Sequence, residues 1–133
     1  CRKTKEVWFN KFIDKYTKLL PVESGGVGKS EAEYRAAEFL VAAAHLSNFR
    51  HTFSNEKIRA VSMERVVYAD VLSKSISKKI TEQRIIVEAD PKYQKERESL
   101  ESYENDLNYI KSFHEIFMNA HVFYRQMSKE EII

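Results

Sequence analysis

Every glycine in this 133-residue chain falls inside one hexapeptide, GGVGKS, at residues 25–30, and the two prolines stand at 21 and 91. Glycine and proline interrupt helices more effectively than any other residues. Confining them to these places leaves long stretches with nothing to stop a helix, and no glycine-rich turn joins apolar runs into hairpins. No stretch alternates apolar and polar residues over strand length. The chain is therefore expected to be all-α. An N-terminal amphipathic helix (1–21) and a glycine-containing loop (22–30) precede a helical domain (31–133) with a central helical hairpin and a long C-terminal helix.

Apolar spacing places the elements. In KEVWFNKFIDKYTKLLP, Trp8, Phe9, Phe12, Ile13, Tyr16, Leu19 and Leu20 share one broad helical face, with Pro21 as the expected stop. Ser30, followed three residues later by Glu33, reads as a capping box for an alanine-rich helix that is apolar at Tyr34, Ala37, Phe39, Leu40, Ala44 and Phe49. Ser54 is the expected N-cap of the next helix, whose apolar line runs through Ile58, Val61, Tyr68, Val71, Leu72 and Ile76. Thr81 can cap a short helix, EQRIIVEA, that ends at Asp90-Pro91. Aspartate followed by proline reads as an N-cap with proline at the first helical position. From there to Met127 nothing intervenes, which predicts a helix of about 35 residues, roughly 50 Å at 1.5 Å per residue.

That last helix changes along its length. Tyr93, Leu100, Tyr103, Leu107 and Ile110 form a narrow stripe at coiled-coil-like spacing, and Phe113, Ile116, Phe117, Ala120, Phe123, Tyr124 and Met127 widen it beyond a single seam. Contact with more than one helix is implied. Leu100, Tyr103, Leu107, Ile110, Phe113, Phe117, Phe123 and Tyr124 are the expected oligomer interface.

GGVGKS resembles the end of a phosphate-binding loop, but that loop needs a glycine five positions before Gly28, where this chain has Glu23. It should also follow a buried strand, and here a helix and Pro21 precede it. The hexapeptide reads as a flexible connection. The four histidines do not suggest a metal site: His114 and His121 are separated by about 10 Å of helix rise, His45 and His51 point to different faces, and no Glu-x-x-His pair occurs. No serine or cysteine nucleophile has a recognisable neighbourhood, and the carboxylates of the last helix read as its solvated face. Neither a cofactor nor an enzymatic activity is expected.

The single cysteine, Cys1, excludes an internal disulfide and suits a reducing compartment; a first residue other than Met is expected of a fragment. The longest nearly apolar run, Phe39 to Leu46, is too short to cross a bilayer, so no membrane association is expected.

Net charge is only +2, but residues 48–86 carry eight basic and four acidic groups and residues 1–20 six basic and two acidic. Arg59, Arg65, Tyr68, Lys74, Lys78, Lys79 and Arg84 are the candidate nucleic-acid-binding residues, the cations tracking phosphates and the aromatic stacking on bases. A structural reading stands beside it, since cations near a helix C-terminus complement its dipole. On a helical wheel Arg59 and Lys74 face away from Arg65 and Lys79. A surface assembled from several subunits would resolve that geometry.

The alanine-rich EYRAAEFLVAAAHLSNFR, the basic-flanked helix after it, and the run from Lys79 to Met127 resemble the UvsY family of phage recombination mediators. In that last run the ITE start, VEADPKYQ, the long helix and the closing FYRQM carry the likeness, which covers roughly residues 31–128. The resemblance implies a small all-helical protein of phage DNA recombination, repair and replication, acting in the host cytoplasm. Members bind single-stranded DNA without strong sequence preference and assemble into rings. They help a RecA-like recombinase displace single-strand-binding protein. The family's DNA-contacting helix would correspond to the segment ending in Lys74, Lys78 and Lys79. The alternative is a helical oligomerisation or adaptor protein that touches no nucleic acid, with the long helix as its stalk.

Overall fold

The computed structural model describes residues 2–21, 27–75 and 78–130, with side chains from residue 6 to residue 129. Four helices follow in order: α1 (Arg2–Thr17), α2 (Lys29–Ser73), α3 (Ile80–Ala89) and α4 (Pro91–Glu130). No strand occurs among the described residues, and the all-α expectation holds. The chain divides into two compact units, one comprising Cys1–Asn48 with Lys111–Ile133 and the other Phe49–Ile110. Each long helix thus gives one part of its length to either unit. α1 belongs to the first unit.

In the first unit, Phe12, Ile13 and Tyr16 of α1, Ala32, Ala36, Phe39, Ala42, Ala43 and Leu46 of α2, and Phe117, Ala120 and Tyr124 of α4 are buried. The alanines keep the α2 surface low, so that large rings from the other two helices reach its backbone. Phe117 is the hub, with ring centroids 5.4 Å from Phe39, 5.8 Å from Tyr16 and 6.5 Å from Phe12, all inclined as aromatic quadrupoles prefer. Tyr124 stacks on Phe39 at 6.0 Å, and its hydroxyl donates to the Leu19 carbonyl (2.7 Å) while accepting from Arg35 Nη1 (3.0 Å). One side chain of α4 therefore ties α2 to the end of α1. The hydrogen bond from Arg35 to Tyr124, followed by the one to Glu31, raises the Arg35 pKa. Burial, then the charge of Glu38, pushes the Tyr16 hydroxyl above the usual tyrosine range. His121 Nδ1 lies 2.7 Å from the Ala36 carbonyl, so it carries the proton and donates. These contacts run α2 and α4 antiparallel here.

The ends of these helices depart from the local signals. α1 stops at Thr17, whose hydroxyl donates back to the Ile13 carbonyl (2.6 Å), and Leu19 N and Leu20 N close turns onto Tyr16 and Thr17. The helix is over before Pro21, as the conformational bias of a residue preceding proline requires. α2 begins two residues earlier than a cap at Ser30 would allow: Ala32 N donates to the Gly28 carbonyl at 2.8 Å, and Ser30 lies inside the first turn. Gly25 and Gly26 lie outside the described residues.

In the second unit the core is leaner: Ala60 and Val71 of α2, Val87 of α3, and Leu100 and Ile110 of α4. Ser54 does not start a helix; it is half-buried within the 45-residue α2. The packed stripe of α2 keeps one spacing, alternately three and four, through Phe53, Lys57, Ala60, Glu64, Val67 and Val71. The expected line through Ile58 is therefore rotated, and Ile58 is 64% exposed. Ile76 lies outside the described residues. Lys57 Nζ pairs with Glu104 at 3.7 Å, and the Tyr93 hydroxyl bonds Glu64 while its ring meets Tyr68 edge-to-face at 5.7 Å. Burial first, then that carboxylate, raises the Tyr93 pKa.

The α2–α3 turn is closed by Gln83 Nε2, which donates to the Ser75 carbonyl at 2.9 Å. α3 has Lys79 at its N-cap position without a side-chain cap, and Thr81 lies inside the helix. Asp90 does cap α4, its Oδ1 accepting from the backbone N–H of Lys92 (2.9 Å) and Tyr93 (3.3 Å), with Pro91 as the first helical residue. α4 runs 40 residues, a little longer than expected. Of the eight residues expected at an oligomer interface, Leu100, Ile110, Phe117 and Tyr124 are buried inside the chain. They are committed to its own core. Tyr103, Leu107 and Phe113 are half-buried, and Phe123 is exposed.

Candidate nucleic-acid interface

All seven residues singled out as a nucleic-acid surface lie in the second unit, and they do not form one face. Arg65 lines a shallow groove of about 420 Å³ between α2 and α4, with Ser54, Lys57, Ile58, Val61, Ser62 and Leu107; none of the other six reaches it. Arg59 is exposed on α2. Tyr68 is half-buried with its ring against Tyr93, so it serves as packing and offers no open stacking platform.

The four remaining cations gather around the α2–α3 turn. Lys74 Nζ sits 3.3 Å from Asp70, and Arg84 Nε 3.1 Å from Glu88, both as exposed pairs one helical turn apart. Such pairs are worth about 0–1 kcal/mol, so a phosphate can take over the cation at little cost. Lys78 and Lys79 are exposed and meet no carboxylate among the described residues. They follow the C-terminus of α2, whose dipole favours a cation, but Lys79 is also the N-cap residue of α3, whose dipole opposes one. The acidic residues of this unit, by contrast, concentrate on the first half of α4, where Glu96, Glu98, Glu101, Glu104 and Asp106 outnumber Lys92, Lys95 and Arg97. Cations therefore dominate along the second-unit part of α2 and the α2–α3 turn, and anions on the first half of α4.

The first unit carries a different kind of surface. On α2, Tyr34, Ala37, Val41 and Ala44 follow one another at three- and four-residue steps with Leu40 beside them, and all five are exposed. Between Ala36 and Asn48 the only formal charge is Glu38. On this stretch α2 is therefore apolar on its outer face as well as its inner one. In the sequence, Tyr34, Ala37, Leu40 and Ala44 stand as apolar positions of this helix with nothing local to separate its two faces. The signal available was the near absence of charge all round.

Among the described residues no three histidine, cysteine, aspartate or glutamate side chains converge as a metal site would require, and no helix is long and apolar enough to cross a membrane. No family model, curated protein or solved structure matches the chain.

Proposed function

We propose that this chain is a single-stranded-DNA-binding recombination mediator that acts as a homo-oligomer and helps a RecA-like recombinase replace single-strand-binding protein on the strand. The observation that carries this reading is the α2–α3 turn, where Lys78 and Lys79 are exposed without a carboxylate partner among the described residues and Lys74 and Arg84 are held only in exposed pairs. A cluster of this kind suits the sequence-independent neutralisation of phosphates, each contact releasing condensed counterion. One subunit presents few such charges. An oligomer presents them repeatedly, and affinity multiplies along a strand. The protein works by binding and displaying the strand, not by chemical turnover.

The uncharged face of α2 supports the oligomer. Ala37 and Ala44 lie symmetrically about the Leu40–Val41 pair, so the face offers both a ridge and the notches to receive one. A second copy, turned about a two-fold axis, seats its ridge in those notches and meets no like charge. This face, not Leu100, Ile110, Phe117 or Tyr124, is where a second copy packs. The same face equally suits the alternative of a helical adaptor without nucleic acid, and that reading predicts the same self-association.

Fluorescence anisotropy of a labelled poly-dT oligonucleotide, titrated at several salt concentrations with duplex DNA alongside, separates the two. The mediator reading expects single-strand binding that weakens steeply with salt. Replacing Lys78 and Lys79 by glutamine should then reduce the slope of log affinity against log salt by about 1.4, two phosphates at 0.7 each. Absence of binding at about 50 mM salt and micromolar protein leaves the adaptor reading in its place.

A further inference from the structure

A groove on the first unit, lined by none of the seven basic-segment residues, combines the two features that single strands seek. It holds about 360 Å³ and is lined by Trp8, Lys11, Phe12, Lys15 and Tyr16 of α1 and His45 of α2. On α1 these fall at offsets 0, 3, 4, 7 and 8, which is one helical face. Phe12 and Tyr16 are buried and make the floor, with the edge of the His45 ring 5.9 Å from Phe12 by centroids. Trp8 lies nearly parallel to Phe12 (5.6 Å, 10°) yet remains 50% exposed, so the indole is held flat on one aromatic while half its surface faces water. A tryptophan serving only as core would be covered.

The charges that line this platform are cationic, and the Glu38 carboxylate meets only the Tyr16 hydroxyl at its floor. Lys15 Nζ stands 5.2 Å from the Tyr16 ring, and neither Lys15 nor Lys11 meets a carboxylate among the described residues. No acidic side chain lines the groove. Glu6 and Asp14, the acidic residues of α1, fall on other sides of the helix. An aromatic platform bordered by cations takes a flat ring next to an anion.

We propose that this groove is a base-stacking subsite for single-stranded nucleic acid, with Trp8 as the platform and Lys11 and Lys15 as the phosphate contacts. This rests on the nucleic-acid-binding reading above but places a contact in the first unit that the basic segment does not supply. Stacking on an aromatic ring tolerates any base, which suits a strand bound without sequence preference. Two of the six basic residues among the first twenty, Lys11 and Lys15, then have a ligand to meet.

Trp8 is the only tryptophan in the chain, so its emission reports this groove alone. The full chain is titrated with a labelled dT oligonucleotide while oligonucleotide anisotropy and Trp8 emission are followed together, for the parent and for Trp8→Phe, Trp8→Ala, a Lys11→Gln/Lys15→Gln double variant and a Lys78→Gln/Lys79→Gln double variant. Circular dichroism checks that each retains its helices. The expected result is saturable quenching of Trp8 that tracks the anisotropy. Trp8→Ala should bind about ten-fold more weakly and Trp8→Phe close to parent strength. The Lys11/Lys15 variant, whose changes are on the surface, should lose about 1.4 in salt slope even if Trp8→Ala fails to fold. Anisotropy that rises with Trp8 emission unmoved and Lys11/Lys15 indifferent overturns the subsite and leaves the α2–α3 turn as the contact. Quenching with Lys78/Lys79 indifferent upholds the subsite and removes the turn. No rise in anisotropy overturns both.

Discussion

The two units use the same antiparallel pair of helices in opposite ways. In the first, α2 meets α4 through alanines and rings, and Phe39, Phe117 and Tyr124 are closed off from water. In the second, the same helices place Lys57 and Glu64 on the packed stripe, answered by Glu104 and Tyr93, around a core of Ala60, Val71, Val87, Leu100 and Ile110. Apolar burial gives about 25 cal/mol per Å², whereas an ion pair near the surface adds little. Polar groups on a coiled-coil seam fix register at a cost in stability. The first unit is thus built to hold its shape, and the second to hold alignment while keeping charge near its surface.

The sharpest test of that contrast is Phe39→Ala. Removing this ring from contact with Tyr16, Phe117 and Tyr124 should cost about 3–5 kcal/mol, read from the denaturant midpoint at unchanged slope. A loss below about 1 kcal/mol would show that the rings do not hold the first unit. Tyr124→Phe is gentler. It keeps the stacking on Phe39 but leaves the Leu19 carbonyl and Arg35 without their shared partner, for about 1–3 kcal/mol by thermal unfolding. Hydrogen exchange should quicken at the end of α1, and no change there would separate that turn from the core. Smallest is Asp90→Ala in the second unit, expected to cost about 1 kcal/mol as a lost N-cap. Its effect should stay local, with the amides of Lys92 and Tyr93 exchanging faster while those around Phe117 do not. Equal acceleration in both units would mean that they unfold as one.

Much of the fold was legible because it depends on residues that act alone. Asp90-Pro91 starts α4 as expected, since a carboxylate beside the first free N–H groups and a proline with no N–H to waste need no help from the rest of the chain. Ser54 misled for the opposite reason. A cap there is worth about 1 kcal/mol, and breaking the helix would have taken Phe53, Ala60 and Val71 off a common stripe, so packing carried α2 through it. Ser30 and Thr81 also lie inside their helices, which start two residues earlier with Ala32 N bonded to the Gly28 carbonyl and Gln83 N to the Lys79 carbonyl. The candidate site was less legible. Basic residues around the α2–α3 turn stand out in the sequence, but whether each is paired depends on side chains that a linear reading cannot place. Trp8, Lys11 and Lys15 went unnoticed because Trp8 looks the same in sequence whether it is covered or half-open.

By itself, then, the sequence determined that this protein is helical and where its long C-terminal helix begins. Each of these follows from backbone preferences that act within a few residues. Only the tertiary structure decided which apolar residues are spent inside. Leu100, Ile110, Phe117 and Tyr124 went to the chain's own core, and Tyr34, Leu40, Val41 and half of Trp8 stayed exposed. The physical reason is that an apolar side chain is indifferent to what covers it. Burial is decided by which helices arrive, and that is a property of the whole chain.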